Sequence, residues 1–456
     1  MKNPNTDTIC AIATATGGAI GIVRVSGPEA ISITCRVFSR DISYVKSHTI
    51  HYGNIIDTDG TVIDEVLVSV FRAPHSYTGE DSVEISCHGS RYVMAMVVRR
   101  LIQEGCRQAA AGEYTQRAFL NGRLDLTQAE AVADLIASTN KATHHIAIGQ
   151  LRGTITDSLS QLRDRLLEMT SLVELELDFS DHEELEFADR GQLRQLALDI
   201  DSHLTRLADT FASGQAVKQG IPVAIVGKTN VGKSTLLNAL VGEEKAIVSD
   251  IHGTTRDTIE DLIDIHGVTF RFIDTAGLRT TSDTIEQIGI KLAYKKITEA
   301  TIVLWLVDAI PSAADIADML SRCADRQLIV VNNKTDLSDL TPHLRTLIPD
   351  AEVIGISARG GVNIGKLSEA IFSAANLPSI TANDVIVTSA RHYDSLCQAH
   401  QALSRVIEGI DCGLSGDLLS DDLRQCLHSI SEITGRGLIT PDEVLTNIFS
   451  HFCIGK

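Results

Sequence analysis

Gly227-Lys228-Thr229-Asn230-Val231-Gly232-Lys233-Ser234 stands in mid-chain, directly after the apolar run Val223-Ala224-Ile225-Val226. A G-x-x-x-x-G-K-S octapeptide that leaves a strand and opens a helix has the form of a phosphate-binding loop. Gly227 and Gly232 allow backbone angles that a side chain forbids. Successive backbone N–H groups, among them those of Val231, Gly232 and Thr235, then turn inward around an anion. The helix that follows points its positive end at the same place. Lys233 would reach the outer phosphates, and the Ser234 hydroxyl would take Mg²⁺. Taken alone, the octapeptide leaves open a glycine-rich turn with no nucleotide.

Three further segments close that alternative. The apolar run 268–273 ends in Asp274-Thr275-Ala276-Gly277. An acid there can hold Mg²⁺ through water, and the Gly277 N–H can sense a γ-phosphate. The run 328–331 ends in Asn333-Lys334-Thr335-Asp336. The Asp336 carboxylate can accept from the N1–H and the exocyclic amine of guanine. Adenine would leave it unpaired, at a cost of about 1–3 kcal/mol. The run 352–356 leads into Ser357-Ala358, a loop that covers the base. Four motifs in this order are those of a Ras-like P-loop GTPase.

Composition limits what else the chain can be. Its 456 residues suggest two to four domains, and 44% hydrophobic content is enough for sizeable cores. Lys+Arg 40 against Asp+Glu 59 gives a net charge of −19. So acidic a chain is unsuited to binding RNA over a broad basic face, and a partner or a local patch must supply positive charge. Nine cysteines without CxxC pairs read as reduced cytosolic thiols, which points to the cytoplasm. No apolar run reaches the length of a membrane span.

Proline spacing gives the domain plan. No proline lies between Pro74 and Pro222, or between Pro378 and Pro441, and those gaps should be largely helical. Thr127-Gln128-Ala129-Glu130 reads as a capping box ahead of one long apolar periodicity. A second helix carries Leu193, Leu196, Ile200, Leu204, Leu207 and Phe211, and Leu396, Leu403, Val406 and Ile407 resume the pattern beyond the GTPase motifs. Neither flank is complete alone. The economical plan is a multidomain α/β protein: a discontinuous helical domain (121–217 and 379–456) split by an inserted Ras-like GTPase domain (218–378). Before it, Ile22-Val23-Arg24-Val25 and the run 83–87 read as strands and 91–102 as a helix, an α+β domain over 1–120. The acidic run 178–186 is either a solvated helix entry or a docking surface for a basic partner.

The chain also carries Ser76-Tyr77-Thr78-Gly79-Glu80-Asp81, Cys87-His88-Gly89, Arg117-Ala118-Phe119-Leu120-Asn121-Gly122 and Leu124-Asp125-Leu126-Thr127-Gln128-Ala129-Glu130-Ala131, and it closes on Phe452-Cys453-Ile454-Gly455-Lys456. With the GTPase motifs these resemble the MnmE (TrmE) family of tRNA-modification GTPases over essentially the full length. The resemblance implies a K⁺-stimulated GTP hydrolase that forms a homodimer and works in a heterotetramer with the flavoprotein MnmG. Together they would add an aminomethyl or carboxymethylaminomethyl group at C5 of the wobble uridine of certain tRNAs. It further implies that the N-terminal domain binds a tetrahydrofolate derivative, of 5-formyl or methylene type, and takes part in dimerisation.

Site residues follow from the same resemblance. Leu278 stands where Ras-like proteins place a water-positioning glutamine, and a leucine cannot orient water. The family's glutamate corresponds to Glu286, which would otherwise read as an exposed helix acid. No arginine finger is evident. The family uses K⁺ instead, and its ligands map to Asn230, Ser249, Ile251 and Thr254. Thr255 would join Ser234 on Mg²⁺, while Asp250, His252 and Gly253 would complete the loop over the nucleotide. Folate would lie against Arg24, Glu84, Arg123 and Lys456, a carboxylate for the amino-pyrimidine edge and cations for the glutamyl tail. Arg123 stands where the family often has lysine. The loop Ala13-Thr14-Ala15-Thr16-Gly17-Gly18-Ala19 departs from the family's Pro-Pro-Gly-Arg-Gly-Gly. Cys453 reads equally as a reactive thiol near the folate site or a small buried anchor for the tail. Two other classes compete: a ribosome-assembly GTPase of the Era type, and a folate-binding scaffold with a vestigial nucleotide site.

Overall fold

The computed structural model describes residues 7–178, 190–243, 261–273, 297–377, 381, 384–435 and 455. They fall in two compact units. One is drawn from Met1–Ile136, Gln150–Ser202 and Ser395–Lys456, the other from Ala137–Gly149 and His203–Asp394.

The first unit opens with strands β1 (Ile9–Ile12), β2 (Ile20–Ser26), β3 (Thr49–Ile56), β4 (Val62–Phe71), β5 (Ser82–His88) and β6 (Arg107–Gln108), in the order β3-β4-β5-β2-β1-β6. Only the β1–β6 pair is parallel. Strand residues alternate between two faces. Val23, Val25, Val66, Val68, Val70, Val83 and Ile85 point one way, into a core with Ile33 of helix α1 (Ala30–Val37) and Met94, Val97 and Leu101 of α2 (Arg91–Gln103). The opposite face keeps polar and part-exposed residues, among them Arg24 opposite Glu84. Helix α3 (Glu113–Leu120) follows.

The expected single periodicity after residue 120 is three helices: α4 (Leu126–Ala137), α5 (Lys141–Leu151) and α6 (Thr154–Asp178). The capping box sits two residues earlier than expected. The Gln128 N–H donates to Asp125 Oδ1 (2.9 Å) and the Asp125 N–H donates to Gln128 Oε1 (3.0 Å). Thr127 and Thr156 hydroxyls also donate to the Asp125 carboxylate, at 2.7 and 2.6 Å. An aspartate with two extra hydroxyl donors outcompetes the threonine box, which shares the same pattern. Asn140 caps α5 by accepting from the Thr143 N–H (2.8 Å), and Gly153, at φ +93°, separates α5 from α6. Asp178 ends α6, and the rest of the acidic run lies outside the described residues. Helix α7 (Arg190–Gln219) carries the second apolar periodicity.

In the second unit, strands β7 (Ile221–Val226), β8 (Asp261–Ile265), β9 (Val268–Phe272), β10 (Ile302–Val307), β11 (Gln327–Asn332) and β12 (Glu352–Gly355) form a sheet of order β12-β11-β10-β7-β9-β8. All neighbours are parallel except the β8–β9 hairpin. Val223, Ile225, Leu304, Leu306, Ile329 and Val331 bury on one face. Ala224, Val226, Val303, Trp305, Val307 and Val330 bury on the other. Burial on both faces is why these strands read as unbroken apolar runs. Helices α8 (Lys233–Glu243), α9 (Ala313–Arg322), α10 (Thr341–Leu347) and α11 (Ile364–Ala374) belong to this layer arrangement. The fold therefore combines an inserted Ras-like GTPase domain with an N-terminal α+β domain and a helical domain. Helices α12 (Ala390–Asp411) and α13 (Gly416–Thr434) follow, and α13 packs on α6. Among the described residues no helix is long and apolar enough to cross a membrane.

Candidate functional site

The phosphate-binding loop leaves β7 and runs into α8, which begins at Lys233. Two glycines are dictated by close approach. A Cβ on Gly227 would sit 2.4 Å from the Leu306 carbonyl oxygen, and one on Gly232, at φ +98°, would sit 2.4 Å from Asn333 Nδ2. Asn230 adopts a left-handed backbone, φ +63°, with its side chain exposed. Lys233 folds over the loop and donates to the carbonyls of Gly227 (2.6 Å) and Lys228 (2.9 Å). Val231 is buried, whereas Ser234 and Thr235 lie exposed in the first turn of α8.

The guanine motif is brought against this loop by one buried side chain. Asn333 is 3% exposed; its Nδ2 donates to the Val231 carbonyl (2.7 Å) and its Oδ1 accepts from the Ala358 N–H (3.0 Å). It joins the phosphate loop to the Ser357-Ala358 loop, using both ends of its amide. Lys334, at φ +64°, donates to the Asn230 carbonyl (2.9 Å) and pairs with Asp308 (2.6 Å). The Ser357 hydroxyl donates to Asp336 Oδ1 (2.6 Å). Thus Asn230, Val231, Gly232, Lys233, Asn333, Lys334, Asp336, Ser357 and Ala358 converge. Asp308 was not anticipated; its only signal is an acid directly after an apolar strand. Ser249, Asp250, Ile251, His252, Gly253, Thr254, Thr255, Asp274, Thr275, Ala276, Gly277 and Glu286 lie outside the described residues.

A second polar site lies on the open face of the N-terminal sheet. Arg24 on β2 faces Glu84 on β5, and its Nε and terminal nitrogen lie 2.9 and 2.8 Å from Glu84 Oε1. Both side chains keep solvent access, 21% and 27%. The guanidinium lies over the rings of Tyr77 and Tyr114. It also donates to the Gly455 carbonyl at 3.4 Å. A Cβ on Gly455, at φ +98°, would sit 2.2 Å from the Ile12 carbonyl, so the tail comes this close only through a glycine. Arg123 is exposed, and its stem lies 3.1 Å from where a Gly79 Cβ would be. Lys456 and Cys453 lie outside the described residues.

Segment 76–81 is held by side chains from three directions. Ser76 Oγ donates to the Glu80 carbonyl, Ser26 Oγ bonds to Thr78 Oγ1 (2.7 Å) and Glu80 Oε2 (2.8 Å), and Asn121 Nδ2 donates to the Thr78 carbonyl (2.8 Å). Arg117, 1% exposed, pairs with Asp7, Glu80 and Glu113. Burial works against ionisation of Glu113, but Arg107, the Ala110 N–H and Arg117 outweigh it and hold its carboxyl below the usual range. Burial, with help from Asp64, pushes the Cys87 thiol up to about 11. Cys87 is therefore a core residue and not a nucleophile at neutral pH.

Comparison with known proteins covers the whole chain. A family model described as the GTP-binding protein TrmE N-terminus matches residues 8–123, and one described as the MnmE helical domain matches 126–453. A protein of Bacteroides fragilis named tRNA modification GTPase MnmE is 54% identical, covering 99% of this chain and 100% of that one. Proteins of the same name from Parabacteroides distasonis and Flavobacterium johnsoniae are 50% and 49% identical, covering 98% and 99% of this chain and 100% of each relative.

Proposed function

The chain belongs to the MnmE family of tRNA modification GTPases and is a GTP hydrolase of a tRNA-modifying system; from that premise we propose how its parts divide the work. Residues 1–120 bind a tetrahydrofolate derivative and dimerise, 218–378 bind and hydrolyse GTP, and the helical domain (121–217 and 379–456) links them. With the flavoprotein MnmG, in a heterotetramer in the cytoplasm, the homodimer adds an aminomethyl or carboxymethylaminomethyl group at C5 of the tRNA wobble uridine. The acidic chain supports a partner that supplies the positive charge for tRNA.

At the nucleotide, Asp336 exchanges the Ser357 hydroxyl for the two donors of guanine, and Lys233 exchanges two loop carbonyls for phosphate oxygens. Ser234 suits Mg²⁺ because its hydroxyl is exposed at the helix start, and Thr255 completes that pair. Asn230 suits K⁺ because its side chain is exposed on a loop whose carbonyl Lys334 already fixes; Ser249, Ile251 and Thr254 are the further ligands. Bound there, the two cations would supply positive charge as the phosphoryl oxygens gain negative charge. Glu286 orients the attacking water that Leu278 cannot. At the second site Glu84 bonds Arg24 through Oε1, which favours an amino-pyrimidine edge on its other oxygen; Arg123 and Lys456 face the glutamyl tail. Ile20, Ile50, Tyr52 and Leu67 expose apolar surface on that same sheet, which supports dimerisation there.

The observation that carries the nucleotide reading is Asn333, buried and bonded to both loops beside Asp336. Asp336→Asn tests it. GTP affinity should fall by about 10- to 100-fold, the worth of a charged hydrogen bond, while xanthosine triphosphate gains. Unchanged GTP affinity would overturn the assignment.

A further inference from the structure

The Arg24 guanidinium does not rest on Glu84 alone. Its carbon lies 5.6 Å from the Tyr77 ring centroid and 5.5 Å from that of Tyr114, within the range of cation–π attraction. The two rings differ. Tyr114 is fully buried, and its hydroxyl donates to the Arg24 carbonyl at 2.8 Å, so it belongs to the core under β2. Tyr77 is 38% exposed, and its hydroxyl is bonded to Thr115 Oγ1 at 2.9 Å. Its ring is therefore fixed at one end and open to solvent elsewhere. The segment that carries it is framed by Ser26, Asn121 and the buried Arg117. Six amino acids of loop held by a nine-tenths-buried guanidinium is an expensive way to display a surface tyrosine.

We propose that Tyr77 is a positioning residue of the Arg24–Glu84 site, its ring holding the guanidinium so that Glu84 keeps one carboxylate oxygen for a ligand. This rests on the folate reading above. Arg24 has a long flexible stem, and a second oxygen on Glu84 is within reach of the same guanidinium. A ring beneath the guanidinium selects one arrangement before ligand arrives, which lowers the ordering cost of binding.

The test is a titration of the full-length protein with 5-formyltetrahydrofolate, for the wild type, Tyr77→Leu, Tyr77→Phe and Thr115→Val, with GTP affinity and melting temperature as controls. Tyr77→Leu should weaken folate binding about tenfold and leave GTP affinity unchanged. Tyr77→Phe keeps the ring and should stay within about threefold of wild type. Thr115→Val frees the ring without removing it and should fall between the two, which keeps the test open should Tyr77→Leu not fold. Wild-type affinity in Tyr77→Leu, or a loss in Tyr77→Phe as large as in Tyr77→Leu, would overturn the role of the ring. No binding by the wild type would instead overturn the folate reading itself.

Discussion

The two sheets of this protein place their polar sites in opposite ways. The GTPase sheet is buried on both faces, so its site has only the strand ends to use. Each contribution is a short contiguous motif where a strand stops: 227–234 after β7, 333–336 after β11, 357–358 after β12. The N-terminal sheet is covered by α1 and α2 on one face, and its other face is left partly open, with Tyr114 of α3 packed there with Ile9, Ala11 and Ala109. Its site lies on the open face, built from Arg24, Tyr77, Glu84, Tyr114 and Gly455, which share no sequence neighbourhood. A site at strand ends is written as motifs, while a site on a sheet face is written as cross-strand pairs.

Single substitutions should separate the two sites. The largest effect is expected from Arg117→Met, which leaves Glu80 and Glu113 without their buried cation. Breaking such a pair from one side costs about 3–5 kcal/mol. Thermal or denaturant unfolding should show that loss in the N-terminal unit, and GTP affinity should hold. If GTP binding falls in parallel, the two sites are not independent.

Asn333→Ala should do the reverse at comparable cost. It leaves the Val231 carbonyl and the Ala358 N–H unpaired, about 1–3 kcal/mol each where buried. GTP titration should show affinity falling by at least about tenfold, with folate binding unaffected. Retained GTP affinity would mean that the two loops hold their places without this bridge.

A smaller effect separates the two by pH. The carboxyls of Glu113 and Asp7 are both held below their ordinary values, despite burial, by Arg107 and Arg117. A depressed folded-state value contributes stability above the unfolded value, about 4, and loses it as pH falls further. The N-terminal unit should therefore weaken below about pH 4, and Arg117→Met should flatten that dependence. An unchanged acid profile in the variant would remove Arg117 from the effect.

How much of this was legible follows the same division. The phosphate loop and the guanine motif were readable because their chemistry lies within eight and four consecutive residues. What was not readable was the bridge: Asn333 sits inside a base-reading motif, yet its side chain spends both groups on the protein. Asp308, the partner of Lys334, is one acid among many. On the N-terminal side, Arg24 and Glu84 came from family resemblance, because a pairing across sixty residues leaves no local pattern. Tyr77 and Tyr114 were missed for that reason. The capping box was misplaced because Asp125-x-x-Gln128 and Thr127-x-x-Glu130 overlap. Only the fold shows that Thr156 arrives from α6 to favour Asp125.

The most direct measurement is nucleoside analysis of tRNA from cells lacking this protein, against the same cells carrying it. Wobble uridines without the C5 aminomethyl or carboxymethylaminomethyl group are expected in the deletion, with recovery on complementation. Fully modified wobble uridines in the deletion would contradict a GTPase that serves tRNA modification.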